Sequence, residues 1–191
     1  MNRTALLIID MQHDFSVPGG ACEIPGAHAT IPMIRKILLQ FRELNWPIFH
    51  VVREYRADGS DVEITRLPSL LANPMLVPGT PGVRIAPGLE PEEGEYRIVK
   101  QRFSAFMYTE LDLMLRRLQV KRVVVTGTQL PVCLRTTLFD GLSLDYEMIL
   151  LTDASSSRTP EIHQANIVDI QNIGIACYQT QDFITQHMTK K

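Results

Sequence analysis

The sequence predicts an α/β fold in which a mostly parallel sheet of about six strands lies between two layers of helices. Three observations carry this reading. Short apolar runs rich in β-branched residues, such as Thr4–Ile9 and Lys121–Thr126, lack the regular polar alternation of a strand with one wet face. They therefore read as strands buried on both sides. Segments with helical spacing separate such runs, and the connections are too long for hairpins but suit right-handed crossovers between parallel strands.

The elements follow in order. Thr4–Ile9 is the first strand, and a loop with Pro18, Gly19, Gly20, Pro25 and Gly26 follows it. Ile31, Ile34, Ile37, Leu38, Phe41 and Leu44 then recur at three- and four-residue steps, the stripe of an amphipathic helix. Pro47–Val52 is the second strand and Ile98–Lys100 the third. Thr109–Leu118 reads as a helix matched to its dipole, with Thr109 able to cap, Glu110 and Asp112 in the first turn, and Arg116 and Arg117 in the last. Lys121–Thr126 is the fourth strand. A helix over Pro131–Leu144 leads to the fifth, Tyr146–Leu151. Thr159-Pro160-Glu161 supplies a cap, a first-turn proline and an early acid, so a last helix starts there and ends near Gly174. Ile175–Tyr178 closes the set. The outcome is a three-layer α-β-α sandwich around a Rossmann-like sheet.

Residues 54–96 break the rhythm with many prolines and glycines and an acidic stretch, Glu90–Glu95. A connection of that length is commonly functional. It reads as part of a substrate-pocket wall or a subunit contact. A further sheet strand follows it, so it is no domain boundary and residues 1–191 form one domain on this reading.

Composition excludes several classes. The formal net charge is -2 and the longest basic runs are pairs, Arg116-Arg117 and Lys121-Arg122, so no footprint for nucleic acid or an anionic membrane is present. The apolar run Ala5–Ile9 stops at Asp10, too short for a signal peptide core and far below the ~20 residues that span a bilayer. Cys22, Cys133 and Cys177 cannot all pair with one another and lack metal-ligand spacing. A reducing, cytoplasmic setting is expected.

Ligands of open parallel sheets bind beyond the carboxyl ends of the strands, near the point where strand order reverses. Asp10 ends the first strand, Lys100 closes the third, and Cys133 follows the fourth. A thiol becomes a nucleophile as its thiolate, which a helix N-terminus or a nearby cation favours. Lys100 would supply the charge, Asp10 would take the thiol proton and return it to a leaving amine, and helix N–H groups near Cys133 would hold an oxyanion. Each residue alone has a plainer reading: a loop acid, a solvated lysine, a buried small side chain. The plainer reading stands for Cys22 and Cys177. Phe15, Phe103 and Phe106 are candidate walls of a small apolar site or simply core. Arg53, Arg56, Arg66 and Arg84 are candidates to grip a substrate carboxylate or are surface charges.

The blocks ALLIIDMQHDF (5–15), VKQRFSAF (99–106) and VVVTGTQLPVCLRTTLFDGLSLDYEMILLTDAS (123–155), with HQANIVDI (163–170), resemble the isochorismatase-like cysteine hydrolases in order and spacing. The resemblance implies that Asp10, Lys100 and Cys133 are the catalytic aspartate, lysine and nucleophilic cysteine. It implies a cis peptide between Thr128 and Gln129 that turns the N–H groups of Gln129 and Cys133 into an oxyanion hole. It further implies hydrolysis of a small carboxamide or ureido compound, and a homo-oligomer, dimer or tetramer. Departures narrow this. Vinyl-ether-cleaving members lack the cysteine, so Cys133 argues against that reaction. Nicotinamidases carry an Asp-x-His metal site after the second strand, whereas this chain has Arg53-Glu54-Tyr55-Arg56-Ala57-Asp58 there and no histidine between His50 and His163. No metal or other cofactor is expected. His13 stands where the family commonly has an asparagine and is either a substrate contact or a loop histidine.

Overall fold

The computed structural model describes residues 3–188. Six strands form one sheet: β1 (Arg3–Ile9), β2 (Ile48–Arg53), β3 (Tyr96–Lys100), β4 (Val120–Thr128), β5 (Glu147–Ser156) and β6 (Ala176–Tyr178). Their order is β3-β2-β1-β4-β5-β6, and every neighbouring pair is parallel. Helices α1 (His13–Ser16), α2 (Ala27–Glu43), α3 (Leu67–Ala72), α4 (Leu111–Arg117), α5 (Arg135–Ser143), α6 (Pro160–Asn172) and α7 (Thr180–His187) complete the fold.

The alternation of side chains along β1 explains the two helical layers. Ala5, Leu7 and Ile9 pack with Leu111 and Leu115 of α4, Leu138 of α5 and Ile170 of α6. Leu6 and Ile8 point the other way, onto Ile34, Ile37 and Phe41 of α2 and Phe183 of α7. Both faces of the strand are dry, as its unbroken apolar run requires. A third, smaller cluster of Phe15, Ile24, Tyr55, Leu70, Met75 and Leu76 ties the 54–96 connection to the loop after β1. That connection thus has a core of its own against the carboxyl edge of the sheet. Among the described residues no helix is long and apolar enough to cross a membrane.

Four elements differ from the sequence reading, the first two of them at the site. β4 runs two residues further, through Gly127 and Thr128, and its pairing with β5 is irregular between Val125 and Gly127. The helix expected over Pro131–Leu144 is in fact a five-residue π-helical turn, Leu130–Leu134, followed by α5. Cys133 therefore sits in a wide turn, two residues before the α-helix, and not in a helical first turn. Thr109 does not cap α4, whose N-cap is Glu110; its hydroxyl donates to Ala105 O and accepts the Leu111 N–H. By contrast Thr159 caps α6 as expected, its hydroxyl accepting the Ile162 N–H at 3.3 Å. α7 was not anticipated; Asp153 holds its start by accepting from the Thr180 N–H at 2.8 Å and hydroxyl at 2.6 Å.

Candidate active site

From β1 the chain passes to β2 on one side and, after β3, to β4 on the other, so strand order reverses between β1 and β4. Helices diverge at such a point and leave a crevice beyond the strand ends. Asp10 leaves β1 there with φ 56°, a left-handed conformation that aspartate tolerates better than most residues, while its N–H still bonds Val51 O at 2.8 Å. Arg53 and Lys100 are register partners at the ends of β2 and β3, so both reach the same edge. On the other flank Gly127 has φ 114°, and a Cβ there would lie 2.1 Å from Ile9 O. Only glycine lets β4 approach β1 this closely. The Thr128–Gln129 peptide that follows is cis. Val132 and Leu134 then donate back to Gln129 O at 3.2 and 3.3 Å, which winds the turn around Cys133.

The side chains meet in a dry cluster. Asp10, Arg53 and Lys100 are fully buried and Cys133 is 2% exposed. Lys100 Nζ donates to Asp10 Oδ2 at 2.8 Å and to Arg102 O at 3.3 Å. Arg53 Nε lies 3.7 Å from the same Asp10 oxygen, and Arg53 Nη2 is 3.3 Å from Cys133 Sγ. Asp10 Oδ1 is buried and has no hydrogen-bond partner. Behind this cluster Arg53 Nη1 donates to Tyr55 Oη and Glu63 Oε1, and Nη2 also to Arg102 O at 3.0 Å. The rings of Tyr55 and Phe103 each lie 5.5 Å from the guanidinium carbon. Gln12 locks the strand end: its Nε2 donates to Arg53 O at 2.9 Å and its Oε1 accepts the Arg53 N–H at 2.7 Å.

Electrostatics decide the resting form. Burial pushes the Cys133 thiol up; Lys100 and Arg53 pull it down, Asp10 pushes it up again, and the net shift is upward. The balance favours the thiol over the thiolate. Burial, followed by the Arg53 charge, holds Lys100 below its ordinary value, and Asp10 and Cys133 oppose this. Two carboxylates, Asp10 and Glu63, face two cations, Lys100 and Arg53, so the cluster is neutral with the thiol protonated. Moving the thiol proton to Asp10 leaves that sum unchanged.

A cavity of about 440 Å³ opens beside this edge. Phe15, Ile24 and Met75 give it apolar lining, Gln129 a polar one, and Arg66, Arg158 and Glu23 charged ones, while Asp10, Arg53, Lys100 and Cys133 do not line it. Phe15 therefore borders the cavity. Phe103 instead packs under the guanidinium groups of Arg53 and Arg66. Phe106 stacks on Tyr146 with centroids 5.8 Å apart and belongs to the core, not to the cavity. Of the four arginines in or near the connection, Arg66 lines the cavity, Arg53 is inside the buried cluster, and Arg56 and Arg84 are exposed. The His13 N–H is spent on Arg84 O at 2.8 Å. Among the described residues no three His, Cys, Asp or Glu side chains gather as a metal site.

Sequence reasoning gave Arg53 no special role and missed Gln12, Tyr55 and Glu63. A signal for Arg53 existed. The strand-end rule that selected Asp10 and Lys100 also selects it, once β2 is extended by one residue.

Residues 4–182 match the isochorismatase domain family. A probable inactive nicotinamidase of Arabidopsis thaliana is 40% identical over 176 residues, covering 90% of each chain. A ureidoacrylate amidohydrolase of Pantoea ananatis is 29% identical over 181 residues, which cover 85% of this chain and 72% of that one. Among solved structures, an isochorismatase family protein from Desulfovibrio vulgaris is 45% identical, with a TM-score of 0.94 over 97% of this chain and 98% of that one.

Proposed function

The chain belongs to the isochorismatase family, and we propose that it is a cysteine-dependent hydrolase acting on the C–N bond of a small carboxamide or ureido compound. Cys133 is the nucleophile, Asp10 the general base and acid, and Lys100 the charge that steadies them. The thiol proton passes to Asp10 Oδ1, the oxygen with no other partner, as sulfur attacks the substrate carbonyl. The N–H groups of Gln129 and Cys133 hold the resulting oxyanion. Asp10 then protonates the departing ammonia or amine, leaving a thioester on Cys133. Water, deprotonated by Asp10, releases the acid and restores the thiol.

One observation carries this reading: Asp10 and Lys100, 90 residues apart in sequence, pair at 2.8 Å in a dry cluster that also holds the Cys133 sulfur. A buried charged pair beside a thiol has little to recommend it as packing, because desolvation costs as much as the pair returns. The amidohydrolase name of the Pantoea relative supports the reaction class.

A second reading, a silent member that only binds a small molecule, draws on the name of the Arabidopsis relative, a probable inactive nicotinamidase. Ammonia release across a panel of primary amides and ureido acids separates the two. Hydrolysis that disappears in Cys133→Ala is the expected result. No release from any compound, with a Cys133 thiol inert to electrophiles, would leave the binding protein.

A further inference from the structure

Arg53 remains unexplained by the Asp10–Lys100–Cys133 mechanism. It is among the largest fully buried side chains in the protein, and burying a guanidinium is expensive unless its N–H groups are used. Three of its hydrogen bonds, to Tyr55 Oη, Glu63 Oε1 and Arg102 O, fix the plane of the fork between two aromatic rings. An anchoring role would be complete with those. Yet the fork is turned so that Nη2 also reaches Cys133 Sγ at 3.3 Å, while Nε faces the Asp10 carboxylate at 3.7 Å. Lys100 donates to Asp10 and Arg102 O, and the hydrogen bond to sulfur comes from Arg53.

We infer that Arg53 is a further catalytic residue, the fixed cation that receives the Cys133 thiolate when Asp10 takes the proton. The inference rests on the nucleophile assigned above. In the step, the S–H bond breaks, the proton binds Asp10 Oδ1, and the sulfur electron pair faces the Arg53 Nη2–H. Net charge in the cluster stays at zero, so no counter-ion has to enter a dry site. A guanidinium suits this place because it holds its proton throughout, whereas burial lowers the pKa of the Lys100 ammonium. The charged groups that act on Sγ are Asp10 at the end of β1, Arg53 at the end of β2 and Lys100 at the end of β3, with Glu63 and Tyr55 behind Arg53.

The test is the pH dependence of Cys133 alkylation by iodoacetamide, read on the Cys133 peptide by mass spectrometry and so separated from Cys22 and Cys177. Two variants bracket the charge. Arg53→Met with Glu63→Gln removes the cation together with its anion, so no unpaired charge stays buried. The alkylation midpoint should rise by about 1–3 pH units, the effect of losing an opposite charge at this range. Glu63→Gln alone leaves Arg53 less compensated, so the midpoint should fall; it keeps the test decisive if the double variant does not fold. An Arg53–Glu63 pair whose charge does not act on the sulfur predicts no movement in either variant. Midpoints unchanged from the native protein, in variants with native circular dichroism, would overturn the inference and leave the triad standing. Native Cys133 alkylating no faster than Cys22 at any pH would overturn both.

Discussion

Replacing Asp10 by Asn separates the two things this carboxylate does. An amide of the same shape cannot accept the thiol proton and deliver it to a leaving amine, so hydrolysis should fall by about 10²–10⁴-fold. The thiol itself should move the other way. In the native protein the Asp10 charge raises the Cys133 pKa, against the pull of Lys100 and Arg53. With the carboxylate gone, Lys100 and Arg53 face only Glu63, and the thiolate itself restores neutrality. The midpoint for thiolate formation should then drop by about 1–3 pH units. Nucleophilicity falls with pKa by roughly half of each log unit, so iodoacetamide at neutral pH should alkylate Cys133 about 3- to 30-fold faster. The assay pairs ammonia release with alkylation of the Cys133 peptide in one preparation. Activity and alkylation declining together, with the fold intact, would refute the placement of Asp10 as the base that sets the thiol's protonation.

Other perturbations follow from the same geometry. Gly127→Ala drives a Cβ to 2.1 Å from Ile9 O at a positive φ, so it should cost about 3 kcal/mol or more and lower Tm by roughly 6–12 °C in a thermal melt. Burial acts to raise the Glu95 carboxyl, but hydrogen bonds from Arg42, the Glu92 N–H and His50 outweigh it and bring it to about 2. A depressed carboxylate adds stability above its unfolded pKa, and that stability is lost as pH falls from about 4.5 through 2. Glu95→Gln should therefore be less stable than the native protein by about 1–2 kcal/mol at pH 7, after screening, with the gap closing toward pH 2 in urea titrations. Arg66 lines the cavity beside Arg158, so Arg66→Ala should raise KM about 10-fold or more for substrates bearing a carboxylate and leave KM for neutral amides unchanged.

The layers and strand order were legible because they depend on patterns confined to short windows. β1 and β4 are continuous apolar runs, and Thr159-Pro160-Glu161 is a local start signal that the structure uses as written. What escaped depends on partners distant in sequence. α7 spans only 8 residues, too few for its apolar stripe to stand out, and its start is held by Asp153, 27 residues earlier. The π-helical turn at Leu130–Leu134 is indistinguishable from a first helical turn in sequence, since both begin near a proline and continue into a helix. The site was half legible. Asp10, Lys100 and Cys133 stood at or just past strand ends, where chemistry collects. Arg53 stood one residue past the strand as read, among other arginines with no local feature to separate them. Its burial depends on residues far from it in sequence or folded back from the long connection, Glu63, Tyr55, Arg102 and Phe103. Phe106 misled for the opposite reason: an aromatic near Lys100 in sequence faces the α4–α5 side and stacks on Tyr146.

The most direct measurement is mass spectrometry of the protein quenched during turnover of an amide found in the ammonia-release panel. A thioester nucleophile predicts an added acyl mass on the peptide carrying Cys133, released by hydroxylamine and absent from Cys133→Ala. Sustained hydrolysis with no adduct on that peptide, or hydrolysis that survives in Cys133→Ala, would contradict it.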